Sequence, residues 1–260
     1  MTDAVVVGRV ARLARYPVKS LQGELVEQAT FGPRGLVGDR LLGIVDAESD
    51  YVLTAKRVPE LLEASARTTA TGIEVRLPGS DWLPAPSAAA SAAASEWLGR
   101  AVYVEPAPPD TSRNYSMTFN LDDETADVFD WHCPPGTFFD LADVHVLTTA
   151  SLRAAAGRYP DGTWSAERFR PTILVEADGD DFVEDAWVGG RLRFGDAAEV
   201  AVDEPTIRCT MTTRAQGDLA RDLDVLRTVN REHGGNLGLY CSMAASGDIA
   251  VGDEVRFLPA

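Results

Sequence analysis

The sequence has no long apolar run. Nowhere do about 18 apolar residues follow one another, which is the length that a membrane-spanning helix needs. The first twenty residues, MTDAVVVGRVARLARYPVKS, also lack the uninterrupted apolar stretch behind a basic start that marks a secretion signal. We therefore expect a cytoplasmic protein without membrane contacts.

Cysteine is scarce and widely spaced. Cys133, Cys209 and Cys241 lie far apart, with no CxxC pair and no histidine at the spacing of a zinc ligand. The three histidines share no metal-binding spacing either. This pattern argues against a disulfide framework and a structural zinc site, so a chemically active cysteine would act alone.

Positive charge is in short supply. The chain has 24 Lys and Arg against 40 Asp and Glu, which gives a formal net charge of -16. Such a field repels nucleic acid and anionic membrane surfaces, so neither is expected as a partner. A phosphate-bearing ligand would need a local cluster of Arg, Lys and backbone N–H groups. Clustered basic residues are therefore informative in this sequence.

Several common catalytic motifs are missing from the chain. It contains no GxSxG, no Walker loop, no GxGxxG after a strand and no HExxH. Pyridoxal phosphate is not expected as a cofactor.

The first hundred residues predict a β-rich unit. Hydrophobic residues make up 45% of the chain, which is enough for one large or two modest domains. Short apolar runs separated by Gly, Pro and Asp predict strands. A short helix is predicted after Pro59. Segment 87–99 is predicted as a helix capped by Ser87, with a flexible linker as the alternative; Trp97 and Leu98 favour the helix because they give it something to bury.

A proline-rich break after AVYVE suggests a division into residues 1–105 and 106–260. Beyond it, LDDETADVFD is predicted to be an exposed acidic segment and WHCPPG a turn. DVHVLTTASLRAAAGRY predicts a strand that runs into a helix with Thr149 as its N-cap. The remaining short strands favour a second β-barrel or sandwich, so the fold class is β-rich α+β with few helices.

Cys209 stands out within EPTIRCTMTTRAQGDL. A single cysteine in a β-rich domain is commonly a small buried hydrophobe. Arg208, its neighbour, favours the thiolate, which is the form that attacks electrophiles or binds metals. The TMTT run beyond it predicts a stiff strand. By contrast, Cys133 in a proline turn and Cys241 in an apolar strand are predicted to be packing residues.

Three basic clusters are candidate anion sites. RYPVKS presents Lys19 and Ser20 side by side, which suits a phosphate. GLVGDR places Arg40 after a glycine turn. In ERFRP, Arg168 and Arg170 would share one face of an extended segment. Each cluster also has a structural explanation: a solvated strand end, turn chemistry, or pairing with acidic neighbours.

Eight motifs of the chain resemble those of one family, in the same order. They are YPVKSLQG, GLVGDR, LTAKRVPEL, LTTASL, ERFRPTILV, FVEDAW, IRCTMTT and GDIAVGDEVRF. This series resembles the MOSC family, named for the C-terminal domain of molybdenum cofactor sulfurase, and is similar to the mitochondrial amidoxime-reducing component and its bacterial relatives. Each motif is weak alone, but eight in order are specific. The resemblance implies an N-terminal β-barrel-like domain followed by a MOSC β-barrel domain.

The resemblance also implies a cofactor, Mo-molybdopterin, and a site that holds it. Cys209 would be the catalytic thiolate and the protein's ligand to molybdenum, with further sulfur from the pterin dithiolene. Lys19, Ser20 and Arg40 match positions that hold the pterin phosphate in the family. The full implied binding set is Lys19, Ser20, Arg40, Arg170, Arg208 and Cys209.

The implied reaction is a two-electron reduction of small N-hydroxylated compounds. Electrons are expected from a separate redox protein, either a flavoprotein, a ferredoxin or a cytochrome b5-like protein, because the sequence holds no cysteine-rich ferredoxin module. Two positions depart from the family's pattern: Thr172 replaces the usual Asn, and Ile207 replaces a small polar residue of the mitochondrial relatives. These departures bear on cofactor affinity and substrate choice.

Two other functions are compatible with the same residues. In the first, Cys209 carries a persulfide and hands its sulfur on, and a low thiol pKa would serve that exchange. In the second, the protein binds or stores molybdenum cofactor without catalysis.

Overall fold

The computed structural model describes residues 4–118, 120, 123 and 125–260. The described residues form eighteen strands and four α-helices. The strands are β1 (Val5–Arg15), β2 (Glu24–Val26), β3 (Gln28–Gly32), β4 (Gly35–Leu36), β5 (Leu42–Asp46), β6 (Ser65–Thr69), β7 (Gly72–Arg76), β8 (Trp82–Ala85), β9 (Val102–Pro106), β10 (Asn114–Met117), β11 (Phe129–His132), β12 (Val144–Thr148), β13 (Ile173–Glu176), β14 (Arg191–Phe194), β15 (Ala198–Ile207), β16 (Asn236–Ala245), β17 (Gly247–Ala250) and β18 (Glu254–Leu258). The helices are α1 (Ala88–Leu98), α2 (Thr149–Arg158), α3 (Ala166–Phe169) and α4 (Leu223–His233).

Seven strands close into a barrel, in the order β13, β12, β16, β15, β14, β18 and β1, and pairing of β1 with β13 closes the circle. Strands β12 and β13 run parallel, whereas the other neighbours are antiparallel. Alternate apolar side chains fill the interior, among them Val10, Leu192 and Val255. The predicted β-rich fold class with few helices is confirmed.

A second core lies in the first half of the chain. There β5 pairs with β9, and β6, β7 and β8 form a small sheet. Helix α1 packs on them through Ala90 and Ala94, and Ser87 caps it by accepting a hydrogen bond from the Ala90 amide at 3.0 Å. The predicted helix over 87–99 is confirmed, and the linker alternative is wrong. A 3-10 helix, Pro59–Glu63, occupies the segment predicted to be helical after Pro59.

The barrel takes strands from both ends of the chain. Strand β1 pairs with β18 and β13, far along the sequence. The division between residues 105 and 106 stays a prediction. No helix in the described part of the chain is long and apolar enough to cross a membrane.

Three local predictions were wrong. Thr148, not Thr149, caps α2, because its hydroxyl accepts a hydrogen bond from the Ser151 amide at 3.0 Å. The ERFR segment is the short helix α3 and not an extended strand. The TMTT run, Thr210–Thr213, is a 3-10 helix.

Two further segments complete the comparison with the sequence. Helix α4, capped by Asp222, was not predicted. In the acidic segment, Leu121, Asp122 and Glu124 lie outside the described residues, and most of the described remainder is exposed, as predicted.

Candidate functional site

A single pocket brings the predicted site residues together. It encloses about 1160 Å³ of empty space, its open mouth included. The loops after β1 and β4, the segment before β12, the end of α3 and the end of β15 all contribute to its walls. The predicted residues that line it are Lys19, Ser20, Arg40, Arg170, Arg208 and Cys209.

Three of these residues occupy the left-handed backbone region, with φ of 68° at Ser20, 47° at Arg40 and 54° at Arg170. The described residues contain only two other non-glycine positions of this kind, Asp50 and Asp127. Such conformations cost about 1–3 kcal/mol each and persist where the surrounding structure fixes them, commonly at functional sites. The strained backbone of this protein is therefore concentrated at the pocket.

Both lysines of the chain, Lys19 and Lys56, lie in this pocket on either side of Asp140. Lys19 Nζ donates to Asp140 Oδ1 at 2.5 Å and to the Phe138 carbonyl at 2.8 Å, and Lys56 Nζ lies 3.5 Å from Asp140 Oδ2. Both ammonium groups also lie over the ring of Tyr115, at 4.8 and 5.2 Å.

The two ammonium groups and the carboxylate stabilise one another's charged forms. Burial opposes ionisation of Asp140, but Lys19 and Lys56 outweigh it and hold the pKa of the carboxyl well below its usual range. Burial likewise works against the charge of Lys56, and the Asp140 carboxylate reverses the balance and raises its pKa. Asp140 and Lys56 are therefore ionised at neutral pH.

Two guanidinium groups lie over the ring of Tyr16. Arg40 is 4.8 Å and Arg170 is 4.1 Å from its centroid. Arg40 also pairs with the buried carboxylate of Asp39, which accepts a hydrogen bond from the Tyr16 amide at 2.6 Å. Only 6% of the surface of Arg170 is exposed. Its guanidinium makes no hydrogen bond or ion pair with any described residue. Burial lowers the pKa of Arg170 to about 10, so it still carries its charge at neutral pH.

Arg208 is fixed by a neutral histidine. Its Nη2 donates to the Phe169 carbonyl at 2.7 Å and its Nη1 lies 3.3 Å from His145 Nε2. Burial, and then the charge of Arg208, hold the pKa of His145 well below its ordinary value. With Nε2 accepting from Arg208, Nδ1 carries the proton and faces the Arg170 carbonyl at 3.4 Å. A Cβ at Gly238 would come within 2.6 Å of Nε2, so this packing requires glycine.

Cys209 follows β15 and is half-buried at the pocket wall. Its carbonyl accepts a hydrogen bond from Thr212 Oγ1 at 2.9 Å. The Cys209 side chain lies close enough to Lys56 and Arg208 to interact with their charges. Burial is the main cause that lowers the pKa of Arg208. Tyr240, whose pKa burial raises to about 12, also borders the pocket. The one partly exposed cysteine thus faces fixed positive charge.

The other two cysteines are packing residues, as predicted. Cys133 and Cys241 are fully buried. Burial is the main cause that raises the pKa of both thiols, which disfavours the reactive thiolate.

Arg168 was wrongly predicted to share an anion-binding face with its neighbour at 170. Its buried guanidinium donates to the carbonyl oxygens of Thr163 (3.2 Å), Thr212 (3.1 Å), Arg214 (3.3 Å) and Ala220 (3.1 Å). Arg168 therefore stabilises the segment that follows Cys209, and it does not line the pocket.

Sequence reasoning missed Lys56, Asp140 and His145 as pocket residues. Counting lysines would have found the first, since the chain has two and the other was already a candidate. At the two positions that depart from the family's pattern, Thr172 accepts a long hydrogen bond from the His145 amide at 3.4 Å, while Ile207 lies at the mouth with 48% of its surface exposed.

Two family models match the chain. The MOSC N-terminal beta barrel domain matches residues 7–102 and the MOSC domain matches residues 136–256. The chain belongs to the MOSC family. The MOSC domain is associated with the binding of molybdenum cofactor, so membership supports a function related to that cofactor.

Solved structures resemble this MOSC chain in fold. The YuaD protein from Bacillus subtilis is 11% identical with a TM-score of 0.52, and the match covers 100% of both chains. A hypothetical protein (9% identity, TM-score 0.44) matches over 98% of this chain and 69% of its own. YiiM from Geobacillus stearothermophilus (13% identity, TM-score 0.33) matches over 59% of this chain and 75% of its own. No curated protein matches the chain.

Proposed function

We propose that this MOSC protein binds molybdenum cofactor in the pocket and reduces small N-hydroxylated compounds, with Cys209 as the thiolate ligand of the metal. One observation carries the proposal: a partly exposed thiol and a cluster of buried cations share one pocket in a chain of net charge -16. Clustered positive charge of this kind attracts an anionic ligand and not a neutral or cationic one.

The cationic part of the pocket suits the phosphate of the cofactor. Arg170 lies over the ring of Tyr16, and its buried guanidinium is not held in an ion pair with any described residue. Lys19 and Lys56 share one carboxylate between two ammonium groups, so they keep net positive charge. Arg40, although paired with Asp39, lies over the same aromatic ring as Arg170. Cations of this kind bind a phosphate strongly because the bonds are charge-assisted.

The thiol part of the pocket suits a soft metal. Cys209 would bind molybdenum as the thiolate, and the cationic side chains of Lys56 and Arg208 line the same pocket. His145 holds Arg208 in place and stays neutral itself, so it adds no positive charge that would have to be offset. When bound, the cofactor supplies the two-electron chemistry of the reduction.

The mouth of the pocket suits an apolar substrate. Trp131, Leu141, Ile207 and Met211 line it, and Leu141 and Ile207 are 49% and 48% exposed. These side chains would hold the apolar body of a small N-hydroxylated compound. Reduction breaks its N–O bond, consumes two electrons and two protons, and releases water and the amine or amidine. A separate flavoprotein, ferredoxin or cytochrome b5-like protein would deliver the electrons.

The test compares variants of Cys209 and Cys241 in protein from a host that makes molybdenum cofactor. We expect nearly stoichiometric molybdenum and pterin in the unmodified chain, and turnover of an aromatic amidoxime with a chemical electron donor. Losing an outer partner of a metal ligand already costs about ten- to a hundredfold, so Cys209→Ala should lower turnover at least about a hundredfold and loosen the metal. Cys241→Ala, the control in a sealed environment, should do neither.

The same measurements separate the alternatives. Full activity of Cys209→Ala would refute the ligand assignment. A molybdenum-free protein with cyanide-labile sulfur on Cys209 would instead show a sulfur carrier. Stoichiometric molybdenum without turnover of any amidoxime or other N-hydroxylated compound would show a storage protein.

A further inference from the structure

A second pocket lies beside the first. Strands β1 and β2, the segment around Ser165 and a tight turn, 216–219, form its walls. Arg170 borders both pockets, while Tyr16 borders only the second. No part of the proposed reaction uses this second pocket.

Two side chains of the second pocket keep polar groups buried without a partner. Arg12 pairs with Glu167 through Nη1, but its Nε and Nη2 are buried and have no partner in the described part of the chain. Gln216 is 6% exposed, and its Nε2 likewise has no partner there. Buried donors of this kind lower stability unless a ligand or water satisfies them. Three such donors in one pocket point to a bound acceptor.

The donor geometry indicates what kind of acceptor fits. The Nε and Nη2 groups of one guanidinium lie on the same edge and donate in parallel, which matches two oxygens of a phosphate or a carboxylate. The Gln216 amide supplies a third donor, and Arg170 adds a positive charge that is not held in an ion pair with any described residue. The donor set therefore fits an oxyanion.

Two of the three acidic residues that line the second pocket are bound by arginine side chains. Glu24 is held by Arg15 at 2.8 Å and by the Thr68 amide at 2.9 Å, and Glu167 is held by Arg12. Asp218 is exposed. We propose that this second pocket binds the phosphate or carboxylate group of a small molecule, through the free edge of Arg12, the amide of Gln216 and the charge of Arg170.

The experiment is calorimetric titration of the full chain with inorganic phosphate and, separately, with succinate, at constant ionic strength. The two titrants tell a phosphate ligand from a carboxylate ligand. Arg12→Lys keeps a charge beside Glu167 but removes the bidentate edge, and Gln216→Leu removes the third donor. We expect saturable binding of one titrant that weakens at least tenfold in Arg12→Lys and severalfold in Gln216→Leu.

A variant of the first pocket assigns the site. Lys19→Met alters only the cofactor pocket, so it should leave this binding unchanged. Binding that survives both Arg12→Lys and Gln216→Leu, binding that is lost only in Lys19→Met, or no saturable binding of either titrant would overturn the proposal.

The stability of the ligand-free variant gives a second readout. Because Gln216 Nε2 has no partner in the described structure, Gln216→Leu should melt at the same temperature as the unmodified chain or higher. A clearly lower melting temperature would mean that the amide has a structural role, and it would count against a ligand-binding one.

Discussion

Single residues of the first pocket bring several cationic side chains together in a chain of net charge -16. Its two lysines flank Asp140, and Arg40 pairs with Asp39, so all five of these charged groups lie in ion pairs before any ligand arrives. A phosphate bound as proposed would therefore share these cations with the resident carboxylates. Its affinity rests on several partly compensated contacts, and such contacts are weakened by salt.

We expect Lys19→Ala and Arg40→Ala each to lower cofactor retention, and to lower it more at high salt than at low salt. The remaining contacts to the phosphate are electrostatic and are screened as ionic strength rises. Molybdenum and pterin content after dialysis at two salt concentrations measures the effect. Arg67→Ala, which removes a half-exposed guanidinium paired with Glu74 outside the pocket, is the control. Equal cofactor content in all variants at both salt concentrations would exclude the phosphate role.

At this scale the sequence predicted part of the site. Lys19, Ser20, Arg40 and Cys209 lie in motifs that resemble a family, and the structure places them in one pocket. Asp140 and His145 carry no comparable local signal. Burial and the charges of side chains distant in sequence set the pKa of both residues. The residues next to them in the sequence do not indicate those contacts.

Among the elements, two short helical turns beside the pocket were predicted as strands. The TMTT run looked like a strand because threonine is β-branched. In the structure Thr212 and Thr213 donate to carbonyl oxygens three residues earlier, at 2.9 and 2.7 Å, and this local bonding favours a tight helical turn. The alternation of Arg168 and Arg170 was equally ambiguous, since four residues fit one helical turn as well as a strand. Helix α4 did have signals, with Asp222 as cap and a C-terminal Gly234.

Arg168→Met is expected to destabilise the protein and free the segment after Cys209. The substitution keeps much of the side-chain volume but leaves carbonyl acceptors such as those of Thr212 and Ala220 without their charged donor. Hydrogen bonds to charged groups contribute about 1.5–3 kcal/mol each in favourable cases, so the free energy of unfolding should fall by about 3 kcal/mol. Urea unfolding measures the loss.

The rate at which an alkylating agent modifies Cys209 measures the loosened segment, and it should rise in Arg168→Met. Arg227→Met, on the exposed face of α4, is the matched control and should change neither quantity. An Arg168→Met protein as stable as this control would show that the buried guanidinium does not brace the segment.

For the whole molecule, closure of the barrel positions the pocket. Strand β1 pairs with β13 and β18, and Lys19 follows it after only a few residues. The sequence predicted short strands correctly, but not this closure. Pairing between the two ends of the chain, such as Arg9 with both Glu176 and Glu254, leaves no local pattern. The predicted division of the chain took no account of such pairs.

Gly8 lies in this closure, at an irregularity in the register of β1 against β18. A Cβ there would come within 2.2 Å of the Glu176 carbonyl oxygen, a backbone atom that cannot rotate away. Gly8→Ala should therefore force β1 and β13 apart and lower the free energy of unfolding by about 2 kcal/mol or more. For a chain of this size that corresponds to a melting temperature lower by at least about 4 °C.

Gly157→Ala provides the opposite case within the same molecule. Gly157 lies in helix α2 with nothing within 4 Å of its added Cβ, so alanine should raise stability by up to about 1 kcal/mol. Thermal unfolding of the two variants side by side separates crowding at the barrel seam from a general response to alanine. If Gly8→Ala melts as high as Gly157→Ala, the contact between β1 and β13 is looser than the structure shows. The position of Lys19 would then not depend on barrel closure.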